Sequence, residues 1–386
     1  MRIFVVTATL LLSITPLAKA DTSSISSLLS SSGNLASSLV STFPIPSIAL
    51  LPAPYWWWES ANAIDALITY SQTAQDSRYT ALLQNTILSQ TTGTNDFMTA
   101  SATGNDDQAW WALAALTAAE NGLPNMGGVS WLDLARNVFN EQAARWDAST
   151  CGGGMKWQIQ QSSKGWHYKN SITNGLFFQL AARLARFTGD ANARAWAEST
   201  YDWVTSVGLI GPNFEVYDGT NDDTGCTSKN IDQWSYNNAV FLYGSAIMAA
   251  TTGEQKWLDR TNGFIAAAGR TFVNPQTGAL FEQKCEAAGT CNTDQVSFKG
   301  ILARWLGAAA TALPAVQGNV AAVVNGAATG VQSGGTTGLG AMGSLIGLEV
   351  VVASLRAQGV YGGAGLIGLS KSALSRKRSV AGRISW

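Results

Sequence analysis

The chain has 386 residues, 46% hydrophobic and only 13% charged, where soluble domains usually carry about a quarter charged residues. Its formal charge of −1 gives no basis for electrostatic capture of a polyanion, so no nucleic-acid partner is expected. The length allows one large domain or two ordinary ones.

The N-terminal stretch MRIFVVTATLLLSITPLAKA has one early basic residue (Arg2), an apolar run from Ile3 to about Ile14, and the small-residue site Ala18-Lys19-Ala20. It reads as a signal peptide, residues 1–20, too short to span a bilayer comfortably. Residues 21–45 are serine-rich and are expected to form a flexible or O-glycosylated segment ahead of the folded domain. From residue 46 to 358 the helical period dominates: IDALITYSQTA, WWALAALTAAE, WLDLARNVFNEQAARW, FFQLAARLARF, AWAESTYDWVTSV, AVFLYGSAIMAA and LARWLGAAATAL space apolar residues by three and four. Strand-like alternation is brief, near FEVYD (Phe214 to Asp218). RFTGDANARAW and ATTGEQKWLDR share a helix, a Thr-Gly turn and then a tryptophan expected to open the next helix.

Helices opening on aromatic or polar clusters start near Trp57, Gln108, Gly175, Ser235, Phe298 and Gly338. Each is expected to be followed by a more alanine-rich partner, a repeat of roughly sixty residues. Six such pairs predict an all-α fold, an (α/α)6 barrel, because closing the ring hides both terminal faces without capping repeats. LIGLEVVVASLRAQ (Leu345 to Gln358) reads as the last helix, and residues 359–386 as a basic tail ending in Lys371, Arg376, Lys377, Arg378 and Arg383. A lipid-anchor signal would finish hydrophobic, so a membrane anchor is not expected from this tail.

Cys151, Cys226, Cys285 and Cys291 form an even set suited to two disulfides in an oxidising compartment. The short loop KCEAAGTCN makes Cys285–Cys291 the preferred pair, leaving Cys151 with Cys226. No metal is expected, since the single histidine, His167, sits in no ligand-spaced cluster with them.

The segment GNDDQAWWALAAL places Asp106 and Asp107 side by side where a helix begins. An aspartate there commonly caps the helix. Only one of the two can be the cap, however, and two neighbouring carboxylates disfavour joint ionisation. An ionised nucleophile beside a protonated acid is what a retaining glycosidase needs. Ser or Cys triads lack a base, and nucleotide motifs are absent, so no cofactor is expected.

GNDDQAWWALAALTAAE resembles the signature of family 76 of the glycoside hydrolases, the endo-α-1,6-mannanases. The resemblance continues through WLDLARNVFNEQAARWD, CGGGMKWQI, YKNSITNGLFFQLAARLARFTGD, VYDG, DQWSYNNAVFLYG and DQVSFKGILARW, covering about Tyr55 to Leu355. It is nearest to the fungal cell-wall branch. The resemblance implies an (α/α)6 barrel, catalysis with retention, Asp106 as nucleophile and Asp107 as general acid/base. It also implies a secreted or wall location and a partner that is α-1,6-linked mannan or a mannose-containing GPI glycan. The alternatives are a transglycosidase with wall glucan as acceptor and an inactive mannan-binding wall protein. A monomer is expected.

The helix-start logic extends to a groove. Trp56, Trp57, Trp58 and Glu59 open the first inner helix, Asn105 precedes the acid pair, and Trp157 follows a triple-glycine turn. Asn170 and Asn174 open the third, Trp234, Tyr236 and Asn237 the fourth, Asp294 and Gln295 the fifth. If all inner helices start at one end, these rings and amides converge on one mouth, where flat rings stack on sugars and amides bind hydroxyls. Capping and core packing are the competing uses of each residue taken singly.

Overall fold

The structure, a computed structural model, describes residues 22–336 and 338–362. The expected signal peptide and residues 363–386 of the basic tail lie outside the described residues.

Twelve α-helices account for most of the described chain: α1 (Thr22–Val40), α2 (Trp57–Ala74), α3 (Thr80–Ser89), α4 (Asn105–Glu120), α5 (Trp131–Ala144), α6 (Ser171–Thr188), α7 (Ala191–Ser206), α8 (Ser235–Thr252), α9 (Gln255–Thr271), α10 (Thr293–Ala312), α11 (Gln317–Gln332) and α12 (Gly340–Ala357). The even-numbered helices are apolar nearly all round and pack on each other in chain order, with α12 returning to α2. They form the inner ring of an (α/α)6 barrel. The odd-numbered helices bury one stripe only. In α9 that stripe is Trp257, Thr261, Phe264, Ile265 and Ala268, the spacing of an amphipathic helix laid on a core.

The Thr-Gly turns close as their chemistry requires. Gly189 takes φ +78° after α6, a left-handed position that costs glycine nothing, and Asp190 then caps α7 by accepting from Asn192 and Ala193 N–H. Gln75, with φ 55°, fills the corresponding position after α2 without a glycine.

The serine-rich segment is a correction. Residues 22–40 are helix α1, not a flexible leader, and α1 packs on α12 as its outer partner. Leu28, Ala36 and Leu39 are buried, while Ser32 bonds back to the Leu29 carbonyl and Ser38 meets Ser344 of α12 at 2.9 Å. The sixth inner helix therefore takes its partner from the other end of the sequence, and the barrel begins at α1 rather than at residue 46.

Both disulfides pair as the spacing suggested, Cys151–Cys226 and Cys285–Cys291. The first joins residues 75 apart and ties the α5–α6 loop to the α7–α8 loop; the second spans six. By loop-closure entropy, removing Cys151–Cys226 should cost about 4 kcal/mol and Cys285–Cys291 about 2 kcal/mol. Urea unfolding of the two double-alanine variants would measure this, and an equal loss would contradict it.

Strands are few among the described residues. β1 (Tyr168–Asn170), β2 (Gly219–Asn221) and β3 (Lys229–Asn230) form an antiparallel sheet in which Asn170 faces Gly219. The alternation seen at FEVYD ends just before β2. This small sheet carries Tyr168, Asn170 and the adjoining Asp218 to the mouth of the barrel.

Candidate active site

The N-terminal ends of α2, α4, α6, α8 and α10 surround a cleft of about 660 Å³. Nine residues expected there do line it: Trp56, Trp57, Trp58, Asp106, Asp107, Trp157, Asn170, Tyr236 and Asp294. The tryptophan run divides its labour. Trp57 stacks on Trp111 at 5.2 Å and Trp58 on Trp110 at 5.4 Å, while Trp56 stands 59% exposed at the rim. Tyr236 stacks on Phe298 at 3.8 Å, giving the opposite wall a flat apolar face.

Six expected residues lie behind this lining. Glu59 is buried and accepts from Trp56 N–H at 2.6 Å, closing the cap of α2. Gln295 accepts from Asn292 N–H in the same arrangement on α10. Asn105 donates its amide to the Lys156 carbonyl and accepts from Arg145, bracing α4 against the Trp157 segment. Asn174 braces the same segment through both polar groups of Met155. Trp234 packs edge-on against Phe298 beside Cys285, and Asn237 is buried with its amide 3.5 Å from Asp218.

Sequence reasoning missed Tyr55, Ser101, Thr103, Trp110, Tyr168, Asp218 and Phe298 as lining. Asp218 is the consequential one. It accepts from the Tyr168 hydroxyl at 2.5 Å and the Asn230 amide at 3.2 Å, and burial raises its pKa. Its only signal was the short VYDG segment.

The two aspartates occupy different environments. Asp107 Oδ2 accepts from Gly104 N–H at 2.8 Å, Thr103 N–H at 3.1 Å and the Thr103 hydroxyl at 3.1 Å, so Asp107 is the cap. Asp106 Oδ1 accepts from Asp107 N–H at 3.0 Å. Burial raises both carboxyls; the charge of Asp107 pushes Asp106 well up, while the three donors pull Asp107 back. Two like side chains thus acquire unequal proton affinities.

Gly104 makes room for this geometry. A Cβ there would overlap Asp106 Oδ1 and stand 3.2 Å from Trp157 Nε1. Gly104→Ala should therefore turn the Asp106 carboxylate aside and lower kcat by about 10²-fold, the scale of a 1 Å misplacement. The melting temperature should hold, because only a side-chain end must move. Wild-type kcat in that variant would show that the position of Oδ1 is immaterial.

The sequence profile of glycosyl hydrolase family 76 matches residues 34–354. The chain belongs to glycosyl hydrolase family 76. It is 39% identical over 302 residues to the Candida glabrata protein named mannan endo-1,6-alpha-mannosidase DCW1, covering 76% of this chain and 67% of that one. The protein of that name from Eremothecium gossypii is 40% identical over 300 residues, covering 74% and 65%. The chain thus spans about two thirds of the length of these relatives. Among solved structures, Dfg5 from Chaetomium thermophilum in complex with glucosamine superposes with a TM-score of 0.80 at 30% identity, over 89% of this chain and 92% of that one. An inactive variant of the α-1,6-mannanase GH76A from Salegentibacter sp., in complex with α-1,6-mannotriose, gives 0.70 at 18% identity, over 86% and 99%, a likeness of fold. This family-76 chain is a glycoside hydrolase by that membership, with an aromatic cleft and an adjacent acid pair.

Proposed function

We propose that this family-76 hydrolase is a mannan endo-1,6-α-mannosidase that works with retention, outside the cell or in the wall. The observation that carries the reading is the unlike setting of two adjacent carboxylates in one aromatic cleft. The name borne by the relatives supports the substrate, and two disulfides fit an oxidising compartment.

In the proposed reaction Asp106 attacks the anomeric carbon while Asp107 gives its proton to the departing glycosidic oxygen. The bond to the leaving mannosyl unit breaks and a mannosyl–Asp106 ester forms. Asp107, now ionised, takes a proton from water, whose oxygen attacks the same carbon and releases Asp106. Trp56 at the rim and Tyr236 on Phe298 offer the flat faces that hold neighbouring mannosyl units.

One observation favours a second reading. Three donors stabilise the Asp107 carboxylate against one on Asp106, which favours the proton of the pair on Asp106. With Asp106 as nucleophile, the proton must cross to Asp107 as a sugar is seated. Exchanged roles need no such transfer. Digestion of linear α-1,6-mannan followed by mass spectrometry tests the activity: internal oligosaccharides are expected, and release of mannose alone or no cleavage would overturn the endo-mannosidase reading. Products longer than the substrate would mark transfer to a sugar hydroxyl instead of water.

A further inference from the structure

A second cavity, about 460 Å³, lies across a shared backbone wall from the cleft. The wall is the extended segment around Lys156–Gln158, paired by a bridge between Gly104 and Gln158. Side chains alternate along such a segment. Trp157 enters the cleft, while Lys156 and Gln158 enter the second cavity. Trp166, half-buried, and Gln161 line it as well, and its volume lies within the roughly 300–1,000 Å³ of small-ligand sites.

Two facts say what it takes. Gln158 is only 6% exposed, yet among the described residues its amide has no hydrogen-bond partner, although it lines the cavity. That amide opens on the cavity, where a ligand hydroxyl can meet both its donor and its acceptor. The cations, meanwhile, are already neutralised. Arg145 donates to Glu141 at 2.9 Å, Asn105 at 3.0 Å and Gln108 at 2.7 Å. Lys156 pairs with Asp222, has Asp147 at 3.5 Å, and lies 4.9 Å from the Trp166 ring centre. An anion finds no spare charge there. An uncharged ligand with hydroxyls and a C–H face finds amides and an indole.

We propose that this cavity is a second, non-catalytic saccharide site that binds one or two uncharged hexose units beside the cleft. It is separate from whatever the cleft hydrolyses. The backbone wall keeps its occupant away from the acid pair, so its role is to hold a branch or a neighbouring glycan chain near the reacting one.

Indole N–H resonances of 15N-tryptophan-labelled protein report the two cavities separately, with Trp166 and Trp157 assigned through Trp166→Phe and Trp157→Phe. Titration with α-1,6-mannotriose, and separately with a β-gluco-oligosaccharide of equal length, distinguishes a mannan branch from another wall glycan. One of them should move the Trp166 resonance saturably, on an isotherm distinct from that of Trp157. Gln158→Ala should weaken the Trp166 isotherm about tenfold, the worth of a lost hydrogen bond, and leave that of Trp157 in place. A Trp166 resonance that stays still with both sugars, or shares one isotherm with Trp157, overturns the proposal. So does a response to inorganic phosphate alone. If Trp166 responds while Trp157 ignores mannotriose, the second site stands and the mannan reading of the cleft falls.

Discussion

Asp106→Asn should lower hydrolysis of α-1,6-mannan by at least about 10⁴-fold, with a melting temperature equal to or above that of the unaltered protein. The amide keeps the shape of the carboxyl and can still accept from Asp107 N–H. It cannot form the ester intermediate, so the covalent route closes. It also replaces a carboxyl whose ionisation burial and the neighbouring Asp107 disfavour, and for that reason stability should not suffer. Asp107→Asn should be nearly as damaging on mannan, but an aryl mannoside whose leaving group needs no proton should still form the glycosyl-enzyme. Added azide then separates the roles. It should rescue Asp107→Asn with a glycosyl azide of retained configuration, and Asp106→Asn, if at all, with inverted configuration. The reverse pattern would exchange nucleophile and acid. Full activity on mannan in either variant would remove the pair from the mechanism altogether.

The second large effect is a fall in stability as the pH rises from about 4.5 to 8. Glu59 and Glu282 are each pushed up to about 8, chiefly by burial. Both are fully buried at helix starts, Glu59 on Trp56 N–H and Glu282 on Ser235 N–H and hydroxyl. Below pH 4.5 these groups are protonated in folded and unfolded chains alike, and they contribute nothing to the pH dependence. Between 4.5 and 8 the unfolded chain releases the protons and the folded chain retains them. Each group then destabilises the fold by up to about 1.4 kcal/mol per pH unit. Asp76 works in the opposite direction. Arg78 holds it down to about 2, so its contribution is lost only as the pH drops below the ordinary aspartate range. The melting temperature should therefore peak at mildly acidic pH. Glu59→Gln with Glu282→Gln should flatten the decline towards pH 8, and a curve that rises from 5 to 8 in the unaltered protein would refute the account.

Inner helices announced themselves in the sequence because burial on every side leaves nearly uninterrupted apolar text, as in WWALAALTAA. Outer helices announced themselves through a single stripe. Helix α1 did not, although Leu28, Leu35 and Leu39 keep the helical spacing, because serine between them reads as solvent-facing linker. In the fold Ser32 is satisfied by its own helix and Ser38 by Ser344. The acid pair was legible because one helix start needs only one cap. Glu59, Asn174 and Gln295 were misplaced into the groove for a related reason: a carboxylate or amide at a helix start suits a cap and a sugar equally, and local pattern does not say which way it faces. Tyr168 and Asp218 escaped notice because they meet only through the pairing of Asn170 with Gly219, fifty residues apart in their hydrogen-bonded partners.

The closing of the ring by α1 and α12 bears on how the molecule is made. Ser38 and Ser344, which meet across that seam, are separated by 306 positions. During synthesis α1 emerges long before its partner, and every intermediate with fewer than twelve helices is an open arc with two unsatisfied ends. Helix α12 is itself as apolar as a membrane span, with a mean hydropathy of 1.4 over 18 residues, and 89% of it is buried in the closed ring, against α10 and α11 as well as α1 and α2. The α1–α12 seam is thus a highly non-local contact, of the kind whose loop-closure cost precedes any gain from packing. A nascent chain of this kind leaves both ends of the arc uncovered until α12 docks on α1 and α2. Lesions at the α1–α12 seam would accordingly surface as lost yield of folded protein, with the acid pair itself untouched.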